Sequence, residues 1–194
     1  GAFHFRTGNR RPPTAAYGGS TPVMHFDEVR HLWIGGMFVD GRATGWTLGD
    51  PLAEQALIPF LNDFEQKLSG PKQVVRIVGR APYAKLFEEV WGPGSLDDRQ
   101  FPVAEIYEKV GRSIAAYERS QEVSPFTSKY DYYLRGKASL TAQEARGLAL
   151  FNYKGRCATC HPSSPGPKGQ PPLFTDFTYA NLGIPKNRQN PFYN

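Results

Sequence analysis

Between Pro51 and Leu68 the apolar residues Leu52, Ala56, Leu57, Phe60, Leu61, Phe64 and Leu68 return every three or four positions. That spacing puts them on one face of a helix. Pro51 suits the first turn, where its missing N–H would be unpaired in any case. Pro59 falls inside the same run, lacks a donor and clashes with the preceding turn, so a kink or break is expected near Ile58. Ser69-Gly70-Pro71 is expected to end the element. Tyr83, Leu86, Phe87, Val90 and Trp91 predict a short helix between Pro82 and Gly92-Pro93-Gly94. The cleanest stripe follows Pro102: Val103, Ile106, Tyr107, Val110, Ile114 and Tyr117. After a junction at Ser124-Pro125, Tyr130, Tyr132, Tyr133 and Leu134 predict a helical piece ending at Gly136. Thr141-Ala142-Gln143-Glu144 is a capping box in front of Ala145, Leu148 and Ala149. That helix runs to Lys154-Gly155. Residues 1–50 hold no lasting period, and turn chemistry recurs at Gly8–Pro13 and Tyr17–Ser20. There are no repeats and no strong strand alternation. The expected class is all-α with long irregular loops.

Composition narrows this reading only a little. The chain has 194 residues, 40% apolar and 13% aromatic, enough for one large domain or two small ones with a core. Twenty glycines and 17 prolines agree with long connections. No apolar run approaches the length of a membrane span. Gly1-Ala2-Phe3-His4 reads as the middle of a longer chain, with no signal peptide. The formal charge is +5. Its basic residues look scattered, so nothing points to nucleic acid, while an acidic redox partner is compatible.

The chemistry concentrates in Cys157-Ala158-Thr159-Cys160-His161, which uses both cysteines of the chain. C-x-x-C-H is the attachment signature of c-type haem. Residues three apart on a helical turn face the same way, so two thiols can reach two vinyl groups, and the next residue offers an imidazole to the iron. Other readings are weaker. A structural zinc site wants four ligands, and there is no second Cys/His cluster. A thioredoxin-like motif wants a βαβ pattern. A disulfide across three residues closes almost no loop. His4, His25 and His31 are read first as surface or hydrogen-bonding residues, Met24 and Met37 as core filler, and Trp33 and Trp46 as packing residues.

Three further blocks, taken with this motif, resemble the bacterial di-haem cytochrome c peroxidases and their MauG-like relatives. Phe38-Val39-Asp40-Gly41-Arg42-Ala43 is similar to that family's F-W-D-G-R-A. Gln55, Pro59 and Glu65 resemble the run that lines its peroxidatic haem. Ser124-Pro125-Phe126 and Leu140–Glu144 lead into the C-x-x-C-H, followed by Phe174–Phe177 and Asn181–Pro185. The resemblance spans nearly the whole chain. It implies cytochrome c-type haem lobes: residues 1–123 resembling the peroxidatic-haem domain without its own C-x-x-C-H, and residues 124–194 an incomplete electron-transfer haem lobe. A first haem motif is expected upstream of Gly1, and a Met or Tyr iron ligand downstream of Asn194. Departures are visible. Val39 replaces the family's Trp, and Trp46 lies in an insertion from which it could take that place. Gln66 stands where Met is usual. Arg11 stands where an Asn contributes to a calcium site, which puts calcium in doubt.

What the resemblance implies about function follows. Cys157 and Cys160 would carry haem c covalently, with His161 on the iron. A second haem would come from outside this sequence. Glu65, Gln55 and Pro59 would be the catalytic set, Glu65 moving a proton between the peroxide oxygens. His4 stands at about the distance of a displaceable distal ligand of the other haem. The implied reaction is reduction of hydrogen peroxide with electrons from a small cytochrome or cupredoxin, in the periplasm or otherwise outside the cytoplasm. A homodimer is compatible. Electron transfer without peroxidase activity, a short monohaem cytochrome, and MauG-like oxidation of a partner protein stay open.

Overall fold

The structure, a computed structural model, describes residues 11–189. Among these, six α-helices form the frame: α1 (Pro51–Leu61), α2 (Pro71–Val78), α3 (Ala84–Trp91), α4 (Val103–Glu118), α5 (Lys129–Leu134) and α6 (Ala142–Ala149). A π-helical turn (Leu150–Lys154) continues α6, and a 3-10 turn (Cys157–Thr159) follows. The helical class expected from the sequence is observed, with one addition. Strands β1 (His25–Asp27) and β2 (Leu32–Ile34) pair antiparallel, Phe26 opposite Trp33. Three residues per strand are too few for alternation to register in the sequence.

The frame is built on the crossing of α1 and α4. Asp50 caps α1, accepting from the N–H groups of Leu52 and Ala53. Arg119, just past the end of α4, grips the same carboxylate at 2.9 and 2.7 Å. Burial pushes the Asp50 carboxyl up, but the Arg119 guanidinium and the cap N–H groups outweigh it and hold it below its usual value. The two helices run antiparallel and close, with Leu52, Ala53 and Ala115 buried between them. Gly111 permits that approach. A Cβ there would lie 2.8 Å from both the Ala53 carbonyl oxygen and Leu57 Cγ. The Tyr107 hydroxyl donates to the Leu57 carbonyl at 2.6 Å, and burial pushes it up to about 12. On the other flank of α4, Val74, Val78, Phe87 and Val110 form a second cluster.

Two expectations are corrected here. The helix opened by Pro51 does not reach Ser69. It stops at Leu61, because Pro59 has no N–H to give the Gln55 carbonyl and Asn62 turns the chain. Asn62 Oδ1 accepts from Phe64 N, and its carbonyl accepts from the N–H groups of Glu65 and Lys67. Pro71, expected to end an element, instead begins α2, whose Val74, Val75 and Val78 are buried.

The capping box of α6 forms as expected. Glu144 N donates to Thr141 Oγ1, and Thr141 N donates to Glu144 Oε2. Lys129, first residue of α5, donates to Glu144 at 2.6 Å, which ties the two helices and lowers the Glu144 carboxyl to about 2. At Ser124-Pro125 the buried Ser124 hydroxyl accepts from Tyr17 N and donates to the Glu118 carbonyl. Farther on, residues 174–179 return to the hairpin. Ile34 bridges Thr178, Gly35 N donates to the Phe177 carbonyl, and the Tyr179 hydroxyl donates to the Gly35 carbonyl at 2.8 Å.

Candidate functional site

Chemistry-bearing residues gather at two places. The first is the end of α6. Arg156, at φ 54, turns the chain out of the π-helical turn. Cys157–Thr159 then wind as a 3-10 turn, and the His161 N–H closes onto the Cys157 carbonyl at 3.0 Å. Both cysteines are free thiols and exposed. His161 Nδ1 lies 2.7 Å from the Phe174 carbonyl oxygen. A carbonyl can only accept, so Nδ1 carries the proton and Nε2 keeps its lone pair for a metal. The Asp176 N–H donates to the Cys160 carbonyl at 3.1 Å, so one strand of chain braces both the thiol turn and the imidazole.

The surroundings fit a haem. Lys129, Tyr130, Leu140, Gly147, Leu148 and Phe151 are among the residues around an apolar recess of about 380 Å³ that Phe174 also walls. Helix α6 buries none of its side chains. An amphipathic helix must bury its apolar face against something. Two exposed thiols, an oriented imidazole and an apolar wall without a core match a porphyrin disc attached at Cys157 and Cys160.

The second place is the turn after α1. Glu65 is exposed, and among the described residues its carboxylate has no hydrogen-bond or ion-pair partner. It lines a recess of about 820 Å³ together with Arg11–Thr14, Gly36–Val39 and Arg42. Two stretches distant in sequence therefore share one recess with this carboxylate. Arg42 donates to Asp40 at 2.8 Å and stacks 3.6 Å above the centre of the Phe38 ring. Gly41, at φ 69, holds this loop in the left-handed region that favours glycine, and a Cβ there would also press on Met24 Cε and the Tyr179 hydroxyl. Gln66, next to Glu65, lines a different space: an apolar cleft of about 1190 Å³ walled by Phe60, Leu68, Val78, Phe87 and Val110 among others. The Asn62 turn thus separates the recess that Glu65 lines from the apolar cleft that Gln66 lines.

The other expected residues are placed differently. Gln55 and Pro59 are half-buried on α1, and neither lines the recess or the cleft. Pro59 acts on the Glu65 turn through its backbone, its carbonyl accepting from Gln66 N at 3.2 Å. His4 lies outside the described residues. His25 and His31 are both exposed on the hairpin, His25 Nδ1 against the Val23 carbonyl and His31 edge-on to Phe26. Trp46 packs in a row with Trp33 and Phe26 and donates to the Met24 carbonyl. Val39 is 89% exposed. Among the described residues no three His, Cys, Asp or Glu side chains gather as a metal site.

One organising residue escapes sequence reasoning. The Glu54 carboxylate accepts from the N–H groups of Gly45, Thr47 and Leu48 at 2.7, 2.7 and 2.9 Å, which shapes the loop entering α1. In sequence it reads as one more helix-surface charge, and only the folded loop brings the three donors to it.

The helical frame and the C-x-x-C-H turn agree with one class of protein, and the chain belongs to the di-haem cytochrome c peroxidase family, whose profile matches residues 2–139. Its similarity to particular members is substantial. It is 34% identical over 181 residues to the methylamine utilization protein MauG of Paracoccus denitrificans, covering 93% of this chain and 44% of that protein. It is 36% identical over 75 residues to the cytochrome-c peroxidase IdrP1 of Pseudomonas sp. (strain SCT), covering 38% of this chain and 18% of that one. Among solved structures, the diheme peroxidase BthA of Burkholderia thailandensis matches with a TM-score of 0.79 at 32% identity, covering 98% of this chain and 44% of that chain. A single-substitution variant of BthA matches at 0.80 and 33%, with 98% and 45% covered. The chain spans less than half the length of MauG and BthA.

Proposed function

We propose that the whole protein reduces hydrogen peroxide to water with electrons from a small redox protein. Two c-type haems would serve it, one held here by Cys157, Cys160 and His161 and one brought by a segment outside this sequence. The observation that carries this reading is the Glu65 carboxylate, without a partner among the described residues, in a recess that Phe38, Val39 and Arg42 also line. When bound, a haem would supply peroxide binding, polarisation of the O–O bond and electrons. One peroxide takes two electrons and two protons and yields two waters. Glu65 can accept the proton of the nearer oxygen and pass it to the farther one, so that water leaves rather than hydroxide. Asn62 and the Pro59 carbonyl hold the turn that presents it. At the other end, the Phe174 carbonyl would keep His161 in the tautomer that leaves Nε2 free for iron.

In this reading residues 1–123 form the peroxidatic lobe and 124–194 the electron-entry lobe, and the protein works outside the cytoplasm, where c-type haems are attached. A second reading, oxidation of a partner protein, is favoured by the 34% identity to MauG over 93% of this chain. The test uses the full-length holoprotein. Two haems per polypeptide should survive acid–acetone extraction, and peroxide should oxidise a reduced cytochrome or cupredoxin catalytically. Haem that extracts freely, or a mass with one haem, would overturn the assignment. A doubly loaded protein without peroxide turnover would leave partner oxidation or plain electron transfer.

A further inference from the structure

The basic residues that look scattered in the sequence divide unevenly. Residues 124–194 carry nine Lys and Arg against three Asp and Glu, a formal +6, whereas residues 1–123 carry fourteen against fifteen, a formal −1. Haem propionates would offset part of the C-terminal charge and leave that lobe positive. Little of it is neutralised internally. Lys129 pairs with Glu144, and Arg135 donates to the carbonyls of Asp131 and Phe126. Lys137, Arg146, Lys154, Arg156 and Lys168 are exposed, and none has an ion-pair partner among the described residues.

Three of these lie in one place. Arg146, Leu150, Tyr153 and Lys154 follow one another at helical spacing along α6 and its π-helical turn, so they share a side. Leu150 is 54% exposed and Tyr153 78%. Two cations thus bracket two exposed apolar side chains. The stripe ends at Gly155-Arg156-Cys157, where Cys157 Sγ lies 3.6 Å from the Gly155 carbonyl oxygen. An apolar centre with a charged rim is the anatomy of a protein–protein contact. A membrane-surface helix would instead need a continuous apolar face beneath its cations. Here the opposite side, with Gly147, Leu148 and Phe151, faces the recess under Phe174.

We infer that this stripe is the docking face for an acidic electron-transfer protein, which delivers electrons at the Cys157 edge. The inference rests on the reading that the His161 haem receives electrons. In each encounter the reduced partner loses one electron, and two encounters supply the two that one peroxide takes. Opposite charge raises the encounter rate by about 10–10³ at low salt and loses the effect as salt screens it.

The test uses the full-length holoprotein and two forms of one donor, native cytochrome c, which is basic, and the same protein succinylated on its lysines, which is acidic. At low ionic strength the succinylated donor should reduce the His161 haem at least roughly tenfold faster than the native one, with the advantage gone at high salt. Arg146→Glu with Lys154→Glu should remove most of that advantage, while Lys85→Glu on α3 should leave it. Haem content and reduction by ascorbate report whether each variant is folded and loaded. The salt comparison on the unmodified protein decides the matter even if the double variant fails to fold. A faster native donor, rates insensitive to salt, or salt-sensitive binding to phosphatidylglycerol vesicles with no effect of donor charge would overturn the inference. A holoprotein that ascorbate reduces but neither cytochrome does also overturns it. One that nothing reduces overturns the electron-entry reading with it.

Discussion

Replacing Glu65 with Gln isolates the proton-transfer role from everything else the residue could do. The change keeps the size of the side chain and removes its exchangeable charge. Glu65 is exposed, its carboxylate has no partner among the described residues, and its place in the turn is held by its backbone N–H on the Asn62 carbonyl. Glu65→Gln should therefore shift stability by no more than about 0.5 kcal/mol. A positioned general acid–base group contributes about 10²–10⁴-fold to rate, or about 3–5 kcal/mol of barrier. Turnover should fall at least roughly a hundredfold, while haem content, the spectrum of the His161 haem and the unfolding midpoint stay put. The assay is peroxide-dependent oxidation of a reduced donor by full-length holoprotein, wild type and variant, at matched haem loading. Near wild-type turnover in a fully loaded Glu65→Gln protein would refute the assignment and make Glu65 a surface charge. A large loss of stability would refute it differently, since the rate effect would no longer be separable from packing.

Two other outcomes test the frame around the sites. Gly111→Val should destabilise the holoprotein by about 1–3 kcal/mol through overpacking, because its Cβ would press on the Ala53 carbonyl and Leu57 at 2.8 Å. An unchanged unfolding midpoint would mean that α1 and α4 do not cross so closely. The Glu144 anchor should be acid-labile in a defined window. Its carboxyl is lowered from 4.5 to about 2, chiefly by Lys129, so its stabilisation is fully present above pH 4.5 and is lost as pH falls through about 2. Amide protection factors at Thr141 and Glu144, measured against the unprotected exchange rate at each pH, should fall across that range in the wild type and show no such step in Glu144→Gln.

Local signals were legible in the amino-acid order because their physics is local. The capping box at Thr141–Glu144, the Pro102-led stripe of α4 and the C-x-x-C-H turn each depend on neighbours within a few residues, and each appears where the spacing put it. The family resemblance was legible for the same reason, as short blocks in order. Errors arose where a local signal has two meanings. Pro71 could close a helix or open one, and only the packing of Val74 and Val78 against Val110 of α4 decided for α2. Pro59 could kink a helix or lead to its end, and the hydrogen bonds of Asn62 decided for an end at Leu61, which put Glu65 on a turn. The rest needed distance. No spacing rule says that Glu65, Arg42 and Arg11–Thr14 share a recess, that Glu54 collects three loop N–H groups, or that the Phe174 carbonyl orients His161. Those contacts join segments 6 to 54 residues apart, and they exist only once Asp50–Arg119, Gly111 and the returning strand at Thr178 have packed the elements together. The sequence alone determined which groups could do the chemistry. Tertiary packing decided which of them face one another, because burial and hydrogen-bond closure act on neighbours in space and not in order.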